Sequence, residues 1–169
     1  MSESNTVQPT IEDEINTLLC GDSIKTALDF VAFLRANKMA PKCVDAQNSV
    51  WCFDYLGKGT SCVIVLKGWF VFWGGWDVEH EEYPIDEKTK EFALAHVNIC
   101  TNFKTNGKEC GCGNQPGISR TIFGKEFDNV CTALLAFTQP EAETLEYVKR
   151  LVEMENDSIA GAAKKTESD

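Results

Sequence analysis

The stretch VWCFDYLGKGTSCVIVLKGWFVFWGG, residues 50–75, decides the fold of this chain. Residues 50–55 and 69–73 alternate large apolar side chains with other residues, which is the two-residue period of a β-strand. Residues 61–66 lie between these two runs and form a continuous, β-branched apolar segment. Short glycine-containing turns separate the three runs. The stretch therefore predicts three strands joined as an antiparallel meander that ends near Trp76.

Helical patterns flank this meander on both sides. Thr10 is placed to cap a short first helix, and Asp22 or Ser23 to cap a second helix that ends before Pro41. A third helix follows Asp86, residues 130–137 form a fourth strand, and a last helix follows that strand. Residues 38–48 and 100–119 are expected to be loops. The expected core includes Leu28, Val31, Phe53, Ile64, Val71, Phe92, Leu135 and Val148.

These elements predict an α+β fold in which helices pack on one face of an antiparallel meander sheet of about four strands. The chain has 169 residues, of which 43% are hydrophobic, so it is large enough for one core of its own. We expect a single domain over residues 10–156. The polar residues 1–9 and the small, charged residues 157–169 are expected to be disordered termini.

Composition and charge exclude several classes of function. Lys and Arg total 16 against 26 Asp and Glu, a formal charge of −10 that repels phosphate backbones and argues against nucleic-acid binding. The longest weakly charged apolar stretch, residues 61–76, is shorter than the roughly 20 residues that span a bilayer. Residues 1–9 lack a basic region followed by an apolar run, so no secretory signal is expected. We therefore expect a cytoplasmic protein with reduced thiols.

The order of elements resembles that of the YdhG-like family of small bacterial α+β proteins. The resemblance covers about residues 22–154 and rests on WCFDYLGKGTSCVIVLKGWFVFWGG and on the strand that leads into TQPEAETLEYVKRLVE. It implies the fold and a bacterial source, and it implies no activity. The cysteine-rich loop and the segment TIFGKEFDNVC depart from that family's pattern and indicate a separate, uncharacterised family.

The cysteine-rich segment HVNICTNFKTNGKECGCGNQPG, residues 96–117, is the first candidate site. Zinc takes four sulfur or nitrogen ligands. The predicted ligands are Cys100, Cys110 and Cys112 of this segment, with either Cys131 or His96 as the fourth ligand. The C-x₉-C-x-C spacing is not the usual C-x₂₋₄-C of structural zinc sites, so a plain loop is the alternative. The same thiols, with lysines nearby, also allow redox chemistry. The three interpretations remain open at this point.

The aromatic residues of the meander are the second candidate site. One face of a single sheet must pack on the helices, and the other could present an aromatic surface with a carboxylate rim. Such a surface suits a small organic or cationic ligand. The alternative is that the tryptophans belong to the core. The candidate ligand-binding residues are Trp51, Tyr55, Trp69, Trp73, Trp76 and Glu79.

The sequence lacks the short motifs that mark several common classes of enzyme. The chain lacks a phosphate-binding loop, a dinucleotide-binding fingerprint, a nucleophile elbow and an H-E-x-x-H motif. The sequence therefore predicts a non-catalytic protein that binds a small molecule or another protein through the aromatic, acidic-rimmed sheet face. The alternative is a zinc- or thiol-dependent protein, and in that case an enzyme, centred on the loop of Cys100, Cys110 and Cys112.

Overall fold

A computed structural model describes residues 9–57, 60–74, 85–101 and 117–166. Within these residues the chain forms four helices and a sheet of seven strands. In chain order they are α1 Ile11–Leu18, α2 Asp22–Ala36, β1 Met39–Asp45, β2 Val50–Tyr55, β3 Thr60–Val65, β4 Phe70–Trp73, α3 Glu87–Ala95, β5 Val97–Ile99, β6 Ile118–Ile122, β7 Lys125–Thr138 and α4 Ala142–Thr166.

The sheet is antiparallel throughout and has the strand order β1-β2-β3-β4-β7-β5, with β6 paired to β7. This confirms the α+β class, the antiparallel sheet and the meander of β2, β3 and β4. The predicted number of about four strands is wrong, because three strands were not expected. β1 lies in the expected loop of residues 38–48, β5 lies at the end of the expected third helix, and β6 begins at the end of the expected loop of residues 100–119. The fourth predicted strand is β7.

β1 is an edge strand, which explains why its sequence is not typical of a strand. It contains Pro41 and Lys42, and it pairs only with β2, from Met39 opposite Tyr55 to Cys43 opposite Trp51. Proline cannot donate a ladder hydrogen bond, so it is tolerated where one side of a strand has no neighbour. A register shift after Cys43 marks a bulge near the end of the strand.

β7 is longer than predicted, since it has 14 residues and begins at Lys125 rather than at Val130. Its first half forms a hairpin with β6, in which Ile122 lies opposite Lys125. The two turn residues, Phe123 and Gly124, have φ values of 47° and 76°, as a primed two-residue turn requires. Its second half pairs with β4 on one side and with β5 on the other.

Local capping chemistry confirms two predicted helix starts. Thr10 caps α1 in a reciprocal capping box with Asp13, and the Asp86 side chain accepts from the Thr89 amide at the start of α3. The expected cap of α2 is wrong, because Gly21 occupies the N-cap position and has a φ of 59°, which glycine adopts without steric cost.

α4 continues to Thr166, so residues 157–166 are helical and not the disordered tail that was expected. Three alanines follow Asp157, and alanine has the highest helix propensity of all residues. Ile159, beyond the predicted end of the domain, also packs against the core. Residues 1–8 of the expected disordered N-terminus lie outside the described residues.

All four helices contribute to one core on a single side of the sheet. The Trp51 indole of β2 bonds to Glu14 of α1, and Phe92 of α3 stacks on Phe137 of β7 with ring centroids 5.7 Å apart. Six of the eight predicted core residues are buried, and Leu28 and Phe92 are partly buried against the others. Buried residues of α2 and α4 complete the layer and include Phe30, Val31, Leu34, Leu145, Val148 and Val152.

Candidate functional site

The four described aromatic residues of the predicted ligand surface belong to the core. Trp51 is 6% exposed, Tyr55 9%, Trp69 3% and Trp73 0%. They lie between the sheet and the helices, so the expectation that they line an open surface is wrong. The physical reason is the area that each ring removes from water when the helices cover it. The two other residues of this set, Trp76 and Glu79, lie outside the described residues.

Polar contacts fix two of these tryptophans in the core. The Trp51 Nε1 donates to a Glu14 carboxylate oxygen at 2.8 Å, which ties β2 to α1. The Trp69 Nε1 donates to the Pro140 carbonyl at 3.0 Å, which ties the β3–β4 turn to the segment before α4. Trp69 has a φ of 51° and lies in that turn, not in the strand where the alternating pattern placed it.

The opposite side of the sheet carries no described helix, and we call it the open face. Strand register aligns Cys52, Val63, Phe72 and Ala136 across four neighbouring strands. A second row aligns Val50, Val65 and Phe70. These seven apolar side chains are all half-buried. The open face is defined by Ala40, Lys42, Val50, Cys52, Asp54, Val63, Val65, Phe70, Phe72 and Ala136.

The centre of the open face is aromatic and its charges lie toward one edge. The rings of Phe70 and Phe72 stack with centroids 6.2 Å apart and an interplanar angle of 20°. Lys42 on β1 and Asp54 on β2 are the charged members of the face as defined. One charge of each sign makes this defined surface neutral, whereas the whole chain carries −10. It can therefore hold an apolar group without a large electrostatic penalty.

The predicted zinc ligands are only partly described. Cys110 and Cys112 lie outside the described residues, whereas Cys100 is buried and Cys131 is half-buried. The Cys100 amide donates to the Asn129 carbonyl at 2.6 Å, so β5 is held against β7 next to Cys131. Among the described residues no three histidine, cysteine or carboxylate side chains are grouped to hold a metal, and no described cysteine forms a disulfide.

His96 and Cys100 are four residues apart in the sequence but do not lie on one helix face. α3 ends at Ala95 and β5 covers Val97–Ile99. Extended backbone at about 3.3 Å per residue separates positions 96 and 100 by roughly 13 Å, too far for two ligands of one metal ion. The His96 ring instead packs on Phe92 and Phe137, with centroids 4.3 and 5.0 Å away. Its Nδ1 donates to the Phe92 carbonyl at 2.8 Å.

Cys62 is an unreactive core thiol. It is fully buried on the helix side of β3, opposite Trp73. Burial raises the pKa of the Cys62 thiol well above its ordinary value, and the nearby Glu155 carboxylate and Cys52 raise it further. A thiol that stays protonated is a poor nucleophile and a poor metal ligand.

The structure also reveals buried polar residues that were not predicted. Glu155 and Asn156 on α4 are 6% and 5% exposed. Asn156 lies beside a cavity of about 370 Å³ between the end of α2 and α4, whose lining includes Lys38 and Tyr55. The sequence does contain the signal, because the apolar spacing of Val148 and Val152 continues to positions 155 and 156. It was missed because the helix was expected to end there.

Comparison with protein-family models finds no match to this chain, and curated proteins and solved structures give none either. The resemblance to YdhG-like proteins therefore stays a prediction that rests on the order of the elements. Among the described residues no helix has the length and hydropathy needed to cross a bilayer.

Proposed function

We propose that this protein is a non-catalytic binding module whose binding surface is the open face of the sheet. The observation that carries the proposal is the pair of aligned apolar rows, one across four neighbouring strands and one across three, whose side chains are all half-buried. Monomeric proteins rarely leave a contiguous apolar patch in water unless it binds something. This keeps the predicted use of an aromatic sheet face and moves it from the tryptophans to Phe70 and Phe72.

The chemistry of the face favours an amphipathic organic cation as the small-molecule ligand. The stacked rings of Phe70 and Phe72 offer apolar contact area and a negative π-face. Asp54 lies on the same face. In the sequence, an acidic run begins at Asp77, four residues after β4 ends, and the chain as a whole carries −10. Such a field attracts cations and repels anions.

Titration with tetraphenylphosphonium, followed by NMR, tests the proposal. We expect saturable shifts of the amide signals of β3 and β4, and we expect Phe72→Ser to weaken binding at least tenfold. Ile118→Ser is the matched control, because Ile118 is 54% exposed on β6, away from the open face. Equal binding by the wild type and Phe72→Ser would contradict the proposal.

A structural zinc ion near β5 is a second proposal. The observation that favours it is the pairing of β5 with β7, because Cys100 directly follows β5 and its amide bonds to Asn129, two residues before Cys131 on β7. Cys110 and Cys112 would complete a set of four thiolates. Elemental analysis after purification without added metal should find one zinc per chain, reduced by Cys100→Ser and unchanged by the exposed control Cys20→Ser. Zinc far below one equivalent would refute it.

A further inference from the structure

We infer that the cavity between the end of α2 and α4 binds a small zwitterion that carries a primary amide, an amino acid of the glutamine kind. The inference goes beyond the proposed function, because this cavity lies on the helix side of the sheet and not on the open face. Three features of the described residues support it: a buried amide without a hydrogen bond, unpaired charges of both signs, and a volume that suits a small molecule.

The side chain of Asn156 is the feature that points to a ligand. Asn156 lines the cavity and is 5% exposed, and neither its Oδ1 nor its Nδ2 bonds to another residue of the described chain. Buried amides in proteins are nearly always hydrogen-bonded, because each bond left unmade costs free energy. An asparagine side chain presents an acceptor beside a donor, so a second amide, which presents the same pair in reverse, satisfies both atoms.

The exposed part of the cavity lining carries charges of both signs. Glu153 and Asp157 are four residues apart on α4, so their carboxylates are neighbours on one helix face and can share one ammonium group. Lys38 joins α2 to β1 and lines the cavity from a different element. These three charges form no ion pair with one another or with any other described residue. A molecule that carries both an ammonium and a carboxylate matches this arrangement.

The volume and the buried part of the lining suit a small molecule. The cavity of about 370 Å³ lies at the lower end of the range for ligand pockets, roughly 300–1,000 Å³. Tyr55 is 9% exposed and lines the cavity together with Asn156, so its ring offers apolar contact to the methylene groups of a glutamine side chain. Two carboxylates against one lysine disfavour nucleotides and other polyanions.

Isothermal titration calorimetry with L-glutamine tests the inference. We expect one saturable site per chain. Three analogues each change one recognised group: glutamate has a carboxylate in place of the amide, 4-aminobutanamide lacks the α-carboxylate, and glutaramate lacks the ammonium. Each analogue should bind at least tenfold more weakly than glutamine, because it leaves one polar or charged group of the cavity without its partner.

Variants of the lining assign the contacts one at a time. Asn156→Leu should weaken glutamine binding at least tenfold. Ser158→Leu is the matched control and should leave binding unchanged, because Ser158 is exposed on the same helix and does not line the cavity. Lys38→Met keeps a long side chain and removes its charge. It should weaken the binding of glutamine and leave that of 4-aminobutanamide unchanged, since this analogue has no carboxylate, whereas a purely structural role of Lys38 would weaken both.

Thermal unfolding separates loss of the site from loss of the fold. Glutamine should raise the Tm of the wild type and leave that of Asn156→Leu unchanged, because only a ligand that binds the folded state stabilises it. Absence of binding up to about 10 mM glutamine, which would nearly saturate a site with a Kd of about 1 mM, overturns the inference and leaves ordered water as the partner of the amide. Glutamine binding that Asn156→Leu and Lys38→Met leave intact occurs elsewhere on the chain and also overturns it.

Discussion

Replacing Asn156 with leucine should stabilise this protein, although the residue is buried in the middle of a helix. Asn156 is 5% exposed, and neither its Oδ1 nor its Nδ2 has a hydrogen-bond partner among the described residues. Folding removes both atoms from bulk water, and no described residue replaces those hydrogen bonds. Leucine has a similar size and buries no polar atom, so the substitution removes this penalty.

The expected gain can be estimated from the two amide atoms. Each unpaired buried donor or acceptor costs about 1–3 kcal/mol, and leucine improves helix propensity over asparagine by roughly 0.4 kcal/mol. Strain from fitting leucine into a site shaped for an amide opposes this gain and costs about 1–3 kcal/mol. The net expectation is that the free energy of unfolding rises by about 1–3 kcal/mol. At about 2–4 °C per kcal/mol for a domain of this size, Tm should rise by several degrees.

Urea denaturation and thermal unfolding of Asn156→Leu against the wild type measure this difference. Ser158→Leu is the control, because Ser158 is exposed on the same helix and does not line the cavity. Its replacement should change stability by less than about 0.5 kcal/mol. A loss of more than about 1 kcal/mol in Asn156→Leu would refute the reasoning. It would mean that a water molecule or a ligand in the adjacent 370 Å³ cavity bonds to the amide.

Three further predictions concern the helices and the thiols. Trp51→Phe removes the 2.8 Å indole bond to a carboxylate of α1 and should lower the free energy of unfolding by about 1–3 kcal/mol; an unchanged urea midpoint would contradict this. Hydrogen bonds from the Thr89 side chain and backbone lower the pKa of Asp86, so this cap stabilises the fold above about pH 4 and the contribution is lost as the pH falls through the folded pKa. Thr89→Val should therefore flatten the acid side of the stability profile, and a profile like that of the wild type would argue against it. Iodoacetamide should label the exposed Cys20 in the native protein and spare Cys62 until denaturant is added, as mass spectrometry would show; rapid native labelling of Cys62 would disprove its burial.

The parts of the fold that could be predicted are those that local chemistry decides. The meander followed from a two-residue period interrupted by glycine turns, and its β2 has the predicted bounds of Val50–Tyr55. The caps at Thr10 and Asp86 followed from side chains that bond to backbone amides three residues away. In each case the interaction that fixes the element lies within a few residues of it.

The parts that were missed depend on partners far away in the chain. β5 has three residues and exists because β7, more than 30 residues later, pairs with it. β1 contains a proline and is a strand only because β2 lies beside it. Propensity averaged over so few residues cannot outweigh the loop signals around β1 or the helical pattern that runs into β5, whereas the backbone hydrogen bonds of a sheet can.

The predicted aromatic surface lies on the helix side of the sheet, where its four described residues are buried. In β4 both alternating rows are apolar, and in β2 only Asp54 interrupts the second apolar row. The period therefore gives the two faces but shows only weakly which one the helices cover. The tryptophans decide between them, because each has a larger area to bury and an indole N–H that is usually bonded when buried. Trp51 finds its acceptor on α1, and Trp69 in the segment before α4.

The apolar side chains at the centre of the open face share one chemical property. Phe70, Phe72, Val63 and Val65 have no side-chain hydrogen-bonding groups, so nothing polar is left unsatisfied whether the face is wet or covered. A covering partner would gain apolar contact there and would break no side-chain hydrogen bond when it left. A surface of that kind suits reversible binding, which is what the proposed binding module requires.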